Sequence, residues 1–155
     1  PAKSFPVVQD TSVASVRRMA KEYEGAKLRR TRTLKKRRSL MRIMEVDISD
    51  YEAHGIIRYN REREKMIPEC DQKALKQFEH DMVVVWVLEH GIRAIADDRI
   101  REIAEDTLLK GMKIEALKSK YDLKRAYLYR LKKMAVVEVA SFLESVEAAG
   151  ISVDF

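Results

Sequence analysis

A run of hydrogen-bond donors between residues 124 and 133 contains the side chains best suited to chemistry. The apolar residues Leu128, Leu131 and Ala135 recur through it at helical spacing, which puts donors and apolar groups on opposite faces of one helix. Guanidinium groups bind phosphate oxygens or the acceptor edge of guanine, and phenols donate to phosphates. The run therefore predicts a polyanion-binding face whose donors are Lys124, Arg125, Tyr129, Arg130, Lys132 and Lys133.

A second basic segment, Lys27 to Arg42, holds nine Lys and Arg and no acid. Such runs are commonly solvated or disordered, but this density of cations favours a polyanion partner. If the segment neutralised about six phosphates, its affinity for DNA would fall about a thousandfold as the salt concentration rose from 50 to 200 mM. This segment is interpreted as a basic arm that strengthens binding without choosing a sequence, through Arg29, Arg30, Arg32, Lys35, Lys36, Arg37 and Arg38.

The formal charge of +6 conceals an alternation along the chain. Residues 1–44 carry a net +10, 45–110 a net −6, 111–135 a net +6 and 136–155 a net −4. Cys70 is the single cysteine, which excludes an internal disulfide and indicates a reducing compartment. Without a membrane-length apolar run or a signal-peptide pattern, the sequence predicts a cytoplasmic protein with no membrane partner.

Five glycines and three prolines in 155 residues favour an all-α fold. The run Met82 to Leu88 has strand-forming residues, but its flanks favour a helix. Asp97-Asp98 predicts a helix start and Gly111 its stop, before a short helix from about Lys113 to Lys120 and a long one ending near Gly150. Three regions are predicted: a basic N-terminal helical arm (1–44), a helical middle region (45–97) and a C-terminal helical domain (98–150).

Three helices with a short turn between the last two have the plan of a helix-turn-helix, which would span roughly Ile114 to Met134. Residues Leu108 to Leu143 resemble the C-terminal helix-turn-helix of sigma-70 region 4, and most closely the version in ArpU/RinA-type phage late-gene regulators. The resemblance rests on Gly111, Leu117, Leu123 and the YRLKKMA run from Tyr129 to Ala135. It covers about a quarter of the chain.

The resemblance implies roles for individual residues of the last helix. Base edges would face Arg125, Ala126, Tyr129 and Arg130, and phosphates would be contacted by Lys124, Tyr127 and Lys133. The sequence departs from the family pattern at Lys118, where a small residue usually packs, and at Lys124, where a serine usually caps the helix. Asp122 is a candidate for the missing cap.

The resemblance implies sequence-specific binding of double-stranded DNA by a phage or prophage transcriptional regulator in the cytoplasm of a bacterial host cell, and a homodimer is favoured. The alternatives are a small-terminase-type DNA-packaging subunit, whose native state would be a large ring, and a sigma-like factor that works with RNA polymerase. No cofactor, metal site or catalytic residue is expected, because nucleotide-binding and nucleophile motifs do not occur and His54, His80 and His90 lack metal-ligand spacing. An enzyme is therefore not expected.

Overall fold

The structure, a computed structural model, describes residues 6–36 and 69–150. Five α-helices and no strand are found in these two segments, so the prediction of an all-α fold is confirmed. The predicted arm residues Arg37 and Arg38 and residues 45–68 of the middle region lie outside the described residues. The helices are α1 (Asp10–Lys36), α2 (Glu69–Arg93), α3 (Asp98–Ala104), α4 (Ile114–Tyr121) and α5 (Arg125–Ala148).

Helix α3 begins at the predicted start, Asp97-Asp98, and its π-helical continuation ends just before the predicted stop, Gly111. The Asp97 carboxylate accepts a hydrogen bond from the Ile100 backbone N–H at 2.9 Å, as an N-cap does. A π-helical turn, Glu105–Leu109, continues the helix beyond Ala104. Gly111 then takes the left-handed conformation at φ +65°, which lets the chain leave the helix.

Helix α2 contains the β-branched run Met82 to Leu88, and its helical prediction is confirmed. Phe78, Met82 and Val85 follow one another at steps of four and three residues, and all three are buried. Near the end of the helix, a Cβ on Gly91 would lie 3.1 Å from Phe142 Cδ1 and 3.2 Å from Val139 Cγ1. The missing side chain therefore lets α2 approach α5 closely.

The chain forms two compact units. Unit 1 comprises Pro1–Tyr23 and Val87–Phe155, and unit 2 comprises Glu24–Trp86. In unit 1, α3 and α4 both pack against α5, whose buried side chains include Leu128, Leu131 and Val139. No helix in the described part of the chain is long and apolar enough to cross a membrane.

The first turns of α1 also belong to the core of unit 1. Val16, Met19 and Tyr23 are buried, and the Tyr23 hydroxyl donates to Glu89 Oε1 at 2.7 Å. At the other end of unit 1, the Gln9 backbone N–H donates to the Glu144 carboxylate at 3.1 Å. Helix α1 is therefore anchored in unit 1 by its apolar residues and by one buried hydroxyl.

Candidate nucleic-acid interface

A turn of three residues joins α4 to α5. Asp122 ends α4 in the left-handed conformation, at φ 52° and ψ 47°, and its N–H donates to the Lys118 carbonyl at 2.9 Å. It is the one non-glycine residue with positive φ in the described segments. An aspartate tolerates this conformation better than most side chains.

Helix α5 begins after Lys124, which is extended and contributes no side-chain capping hydrogen bond. Asp122 therefore ends the preceding helix and does not supply the cap that the sequence allowed for. The first N–H groups of a helix have no carbonyl partner within it and carry a partial positive charge. At the start of α5 these donors lie beside the cationic Lys124 and Arg125, an arrangement suited to an anion.

The two faces of α5 are divided as the sequence predicts. Leu128 and Ala135 are fully buried, and Leu131 is 4 % exposed. All seven predicted DNA-binding residues of this helix and its cap are exposed, with Tyr127 at 45 % and Tyr129 at 47 %. The exposed set is Lys124, Arg125, Ala126, Tyr127, Tyr129, Arg130 and Lys133.

Tyr129 lies between two cations on the exposed face. Its hydroxyl accepts a hydrogen bond from Arg125 Nη2 at 3.4 Å, and its ring centroid lies 5.7 Å from Arg125 Cζ and 5.6 Å from Lys132 Nζ. Cation–π attraction at such distances orients flexible cationic side chains. The hydrogen bond to Tyr129 and the carboxylate of Glu115 raise the pKa of Arg125. Arg125 is therefore a positioned, permanently charged donor.

Glu115 on α4 is the acid nearest to this face. Its Oε1 lies 3.6 Å from Arg125 Nη1, and its Oε2 lies 3.9 Å from Lys118 Nζ. The Lys118 side chain is 42 % exposed, while Leu117 beside it is fully buried. The ammonium group of Lys118 is therefore directed toward solvent and Glu115.

A buried carboxylate holds α4 against the preceding turn. Asp106, in the π-helical turn, is 2 % exposed and accepts hydrogen bonds at Oδ2 from Lys120 Nζ at 2.8 Å and the Tyr121 hydroxyl at 2.5 Å. Lys110 Nζ lies 3.6 Å from Oδ1. We refer to Asp106, Lys120 and Tyr121 as the Asp106 clamp. No local pattern in the sequence indicates it.

The protonation states of the clamp follow from its geometry. Burial raises the pKa of Asp106, but the hydrogen bonds from Lys120 and Tyr121 and the charges of Lys120 and Lys110 outweigh it, so the pKa lies below its usual 3.8. Burial and the hydrogen bond to Asp106 raise the pKa of Tyr121 to about 12. The hydrogen bond to Asp106 also raises the pKa of Lys120. At neutral pH the clamp therefore joins a carboxylate to two protonated donors.

The predicted arm residues are placed differently from one another. Arg29 binds Asp81 of unit 2 in bidentate fashion, with Nη2 at 2.9 Å from Oδ1 and Nε at 3.0 Å from Oδ2. Gln77 Nε2 donates to the same carboxylate at 3.0 Å, and Asp81 is 1 % exposed. Arg29 would have to release a buried acid before it bound a phosphate. Of the others, Arg30 is half-buried, Arg32 is exposed, and Lys35 and Lys36 belong to the last turn of α1.

Within the described residues, no group of three His, Cys, Asp or Glu side chains is placed to hold a metal ion. No protein-family model matches the chain, and neither a curated protein nor a solved structure shows significant similarity to it. The observations that bear on function are therefore the geometry of α3, α4 and α5 and the charges that these helices present.

Proposed function

We propose that α3, α4 and α5 form a helix-turn-helix that binds double-stranded DNA, with α5 as the recognition helix in the major groove. The observation that supports it is the division of α5 into the buried stripe Leu128, Leu131 and Ala135 and an exposed face rich in cations and phenols. A helix with a purely structural role would not need this concentration of exposed donors.

The bracing of α4 supports the same function. In a helix-turn-helix, the second helix crosses the DNA backbone and fixes the angle of the third. Here Leu117 packs inward and the Asp106 clamp binds the last two residues of α4, immediately before the turn. The clamp thereby fixes the end of α4 from which the chain enters α5.

In the proposed complex, Arg125 and Arg130 contact base edges together with Ala126 and Tyr129, while Lys124, Tyr127 and Lys133 contact phosphates. Attraction that does not depend on sequence comes from the arm residues Arg32, Lys35, Lys36, Arg37 and Arg38. The proposed biological role is transcriptional regulation of the phage type. A homodimer with two recognition helices one DNA turn apart would suit it, although Val139, Leu143 and Val146 of the tail of α5 are already buried within the chain.

The direct experiment is selection of bound duplexes from a random pool, followed by affinity measurements on the enriched sequence and on a scrambled one. We expect Arg125→Ala to reduce the preference for one base pair roughly 5- to 150-fold, the value of a bidentate guanine contact. Arg93→Ala, which removes an exposed arginine at the end of α2, should leave the preference unchanged. The proposal fails if no sequence is enriched, or if Arg125→Ala and Arg93→Ala behave alike.

The basic arm is tested separately by salt dependence. Arg37→Gln with Arg38→Gln should weaken binding to all duplexes alike and reduce the slope of log affinity against log salt by about 1.8, the value for two phosphates. The matched control is Lys73→Gln with Lys76→Gln, because both lysines are exposed on α2. A loss of sequence preference in the arm variant would show that the two basic surfaces have been assigned the wrong way round.

A further inference from the structure

Two adjoining clefts in unit 1 are lined by the first half of α1 and by α5. They measure about 730 Å³ and about 550 Å³, and both are open to solvent. Arg17, Lys21, Lys133 and Val136 line both clefts, so the two form one continuous surface. We call this surface the α1–α5 groove.

Cations outnumber acids in the groove, since the larger cleft is lined by Arg17, Arg18, Lys21 and Lys133 and by one carboxylate, that of Asp10. The smaller cleft is lined by Arg17, Lys21, Lys132 and Lys133, and no described carboxylate lines it. Arg17 and Lys21 are four residues apart on α1, so they share a helix face, where like charges repel. Both are exposed. Cations that converge in this way without an acid are stabilised when an anion lies between them.

The groove is continuous with the exposed face of α5. Tyr129 and Lys133, which the proposed function places on DNA, also line the smaller cleft opposite Arg17 and Lys21. A helix that lies in the major groove has a phosphate backbone along each side. The cations of α1 therefore lie beside the recognition helix, at the place where one of these backbones would pass.

We propose that the α1–α5 groove binds a stretch of DNA sugar-phosphate backbone, with Arg17 and Lys21 as phosphate-contacting residues outside the helix-turn-helix. This inference rests on the proposed function, because it needs α5 to lie on DNA. It assigns a DNA-binding role to the first half of α1, which precedes the basic arm Lys27 to Arg42. One face of the DNA contact would then combine residues from both ends of unit 1.

The apolar part of the groove also suits an acidic amphipathic helix of a partner protein, since Val13 and Val136 line its larger cleft. DNA is the better occupant because four cations line each cleft, and no described carboxylate lines the one next to Tyr129. Deoxyribose can pack against Val136 and Leu108, while its phosphates meet the lysines and arginine. If DNA occupies the groove, the groove residues affect how DNA affinity depends on duplex length and salt. If a partner helix occupies it, they do not.

The test compares Arg17→Gln with Lys21→Gln in one chain against the matched control Arg93→Gln with Lys76→Gln. Both double variants remove one arginine and one lysine from exposed positions on helices, and neither Lys76 nor Arg93 lines the groove. Affinity for the selected duplex and for a scrambled duplex is measured from 50 to 200 mM salt. Circular dichroism melting confirms that both variants fold.

We expect the groove variant to lose affinity for both duplexes equally and its salt slope to fall by about 1.8. Its disadvantage relative to the wild-type chain should then shrink about twelvefold between 50 and 200 mM salt. Shortening the duplex to the selected base pairs alone should remove the difference, because the flanking backbone is then missing. The control should keep the wild-type slope on both duplexes.

The two proposals fail in distinguishable ways. If the wild-type chain binds no duplex, both are overturned. If the wild-type chain binds and Arg125→Ala loses base preference, but the groove variant keeps the control's salt slope, only the groove assignment is overturned. If the groove variant keeps the salt slope for DNA but no longer binds an acidic helical peptide, the groove is a binding site for a protein partner and not for DNA.

Discussion

The Tyr121 hydroxyl lies 2.5 Å from Asp106 Oδ2 and donates to it, joining the last residue of α4 to the π-helical turn that continues α3. Tyr121 directly precedes Asp122, whose left-handed conformation turns the chain toward α5. The position of α5 therefore depends on a contact made outside it. Loss of the contact should affect stability first, and DNA binding through the altered angle of α5.

Asp106→Asn should lower the free energy of unfolding by about 2 kcal/mol, because hydrogen bonds to a charged group are lost and a buried polar side chain remains. Urea unfolding of the variant and the wild-type chain measures the change. Glu102→Gln is the matched control, since Glu102 is exposed on α3, and its effect should stay within about 0.5 kcal/mol. Equal effects in the two variants would show that the clamp adds no stability.

The stabilisation from Asp106 should depend on pH in one direction. Its folded pKa lies below the ordinary 3.8, so the ionised form is the one that folding favours. The contribution is therefore present above pH 3.8 and is lost as the pH falls below this value. The difference in unfolding free energy between wild-type chain and Asp106→Asn should be constant from about pH 7 to 5 and narrow toward about pH 3. A gap that widens in acid would contradict this sign.

Glu115→Gln should raise the affinity for every duplex, by up to about fivefold at low salt. The carboxylate of Glu115 lies 3.6 Å from Arg125 and adds a negative charge beside it, so in the proposed complex it would compete with phosphate for this arginine. Fluorescence anisotropy on selected and scrambled duplexes measures the change, with Glu102→Gln as the control. A lower affinity would indicate that Glu115 holds Arg125 in its binding position.

Gly91→Leu should lower the free energy of unfolding by about 2 kcal/mol, because the new side chain would push against Phe142 and Val139. Ala94→Leu, at an exposed position three residues later, is the control for added hydrophobicity. Urea unfolding gives both values. Phe142→Ala in the Gly91→Leu background should recover part of the loss, and a strictly additive double variant would show that these side chains do not clash.

Much of the fold could be predicted because its signals are local. The 3.6-residue period of α3 and α5, the cap at Asp97 and the stop at Gly111 each involve residues close in sequence. The inner face of α5 was predicted correctly for the same reason, since Leu128 and Leu131 share that period. The DNA-binding roles of the outer face stay predictions.

The remaining features depend on contacts between distant residues. Asp106 is an acid in the π-helical turn, at the end of a helix with an apolar face. Its burial becomes favourable when Lys120 and Tyr121 approach from α4. In α1, Leu28, one of the leucines of the basic arm, is 56 % exposed and does not mark the buried face. The buried stripe instead begins with Val16 and Met19, at helical spacing, and this signal was present in the sequence.

The π-helical turn Glu105–Leu109 contains one residue more than an α-helical turn would accommodate. If the same residues formed a regular α-helix, the downstream chain would be rotated by one residue position, about 100°, relative to α3. The hydrophobic content of the chain would be unchanged, yet the chain would leave this helix in a different direction toward α4. The number of residues between Ile103 and Gly111 thus helps to set the direction in which the chain leaves the helix, which the chemical types of these residues do not specify.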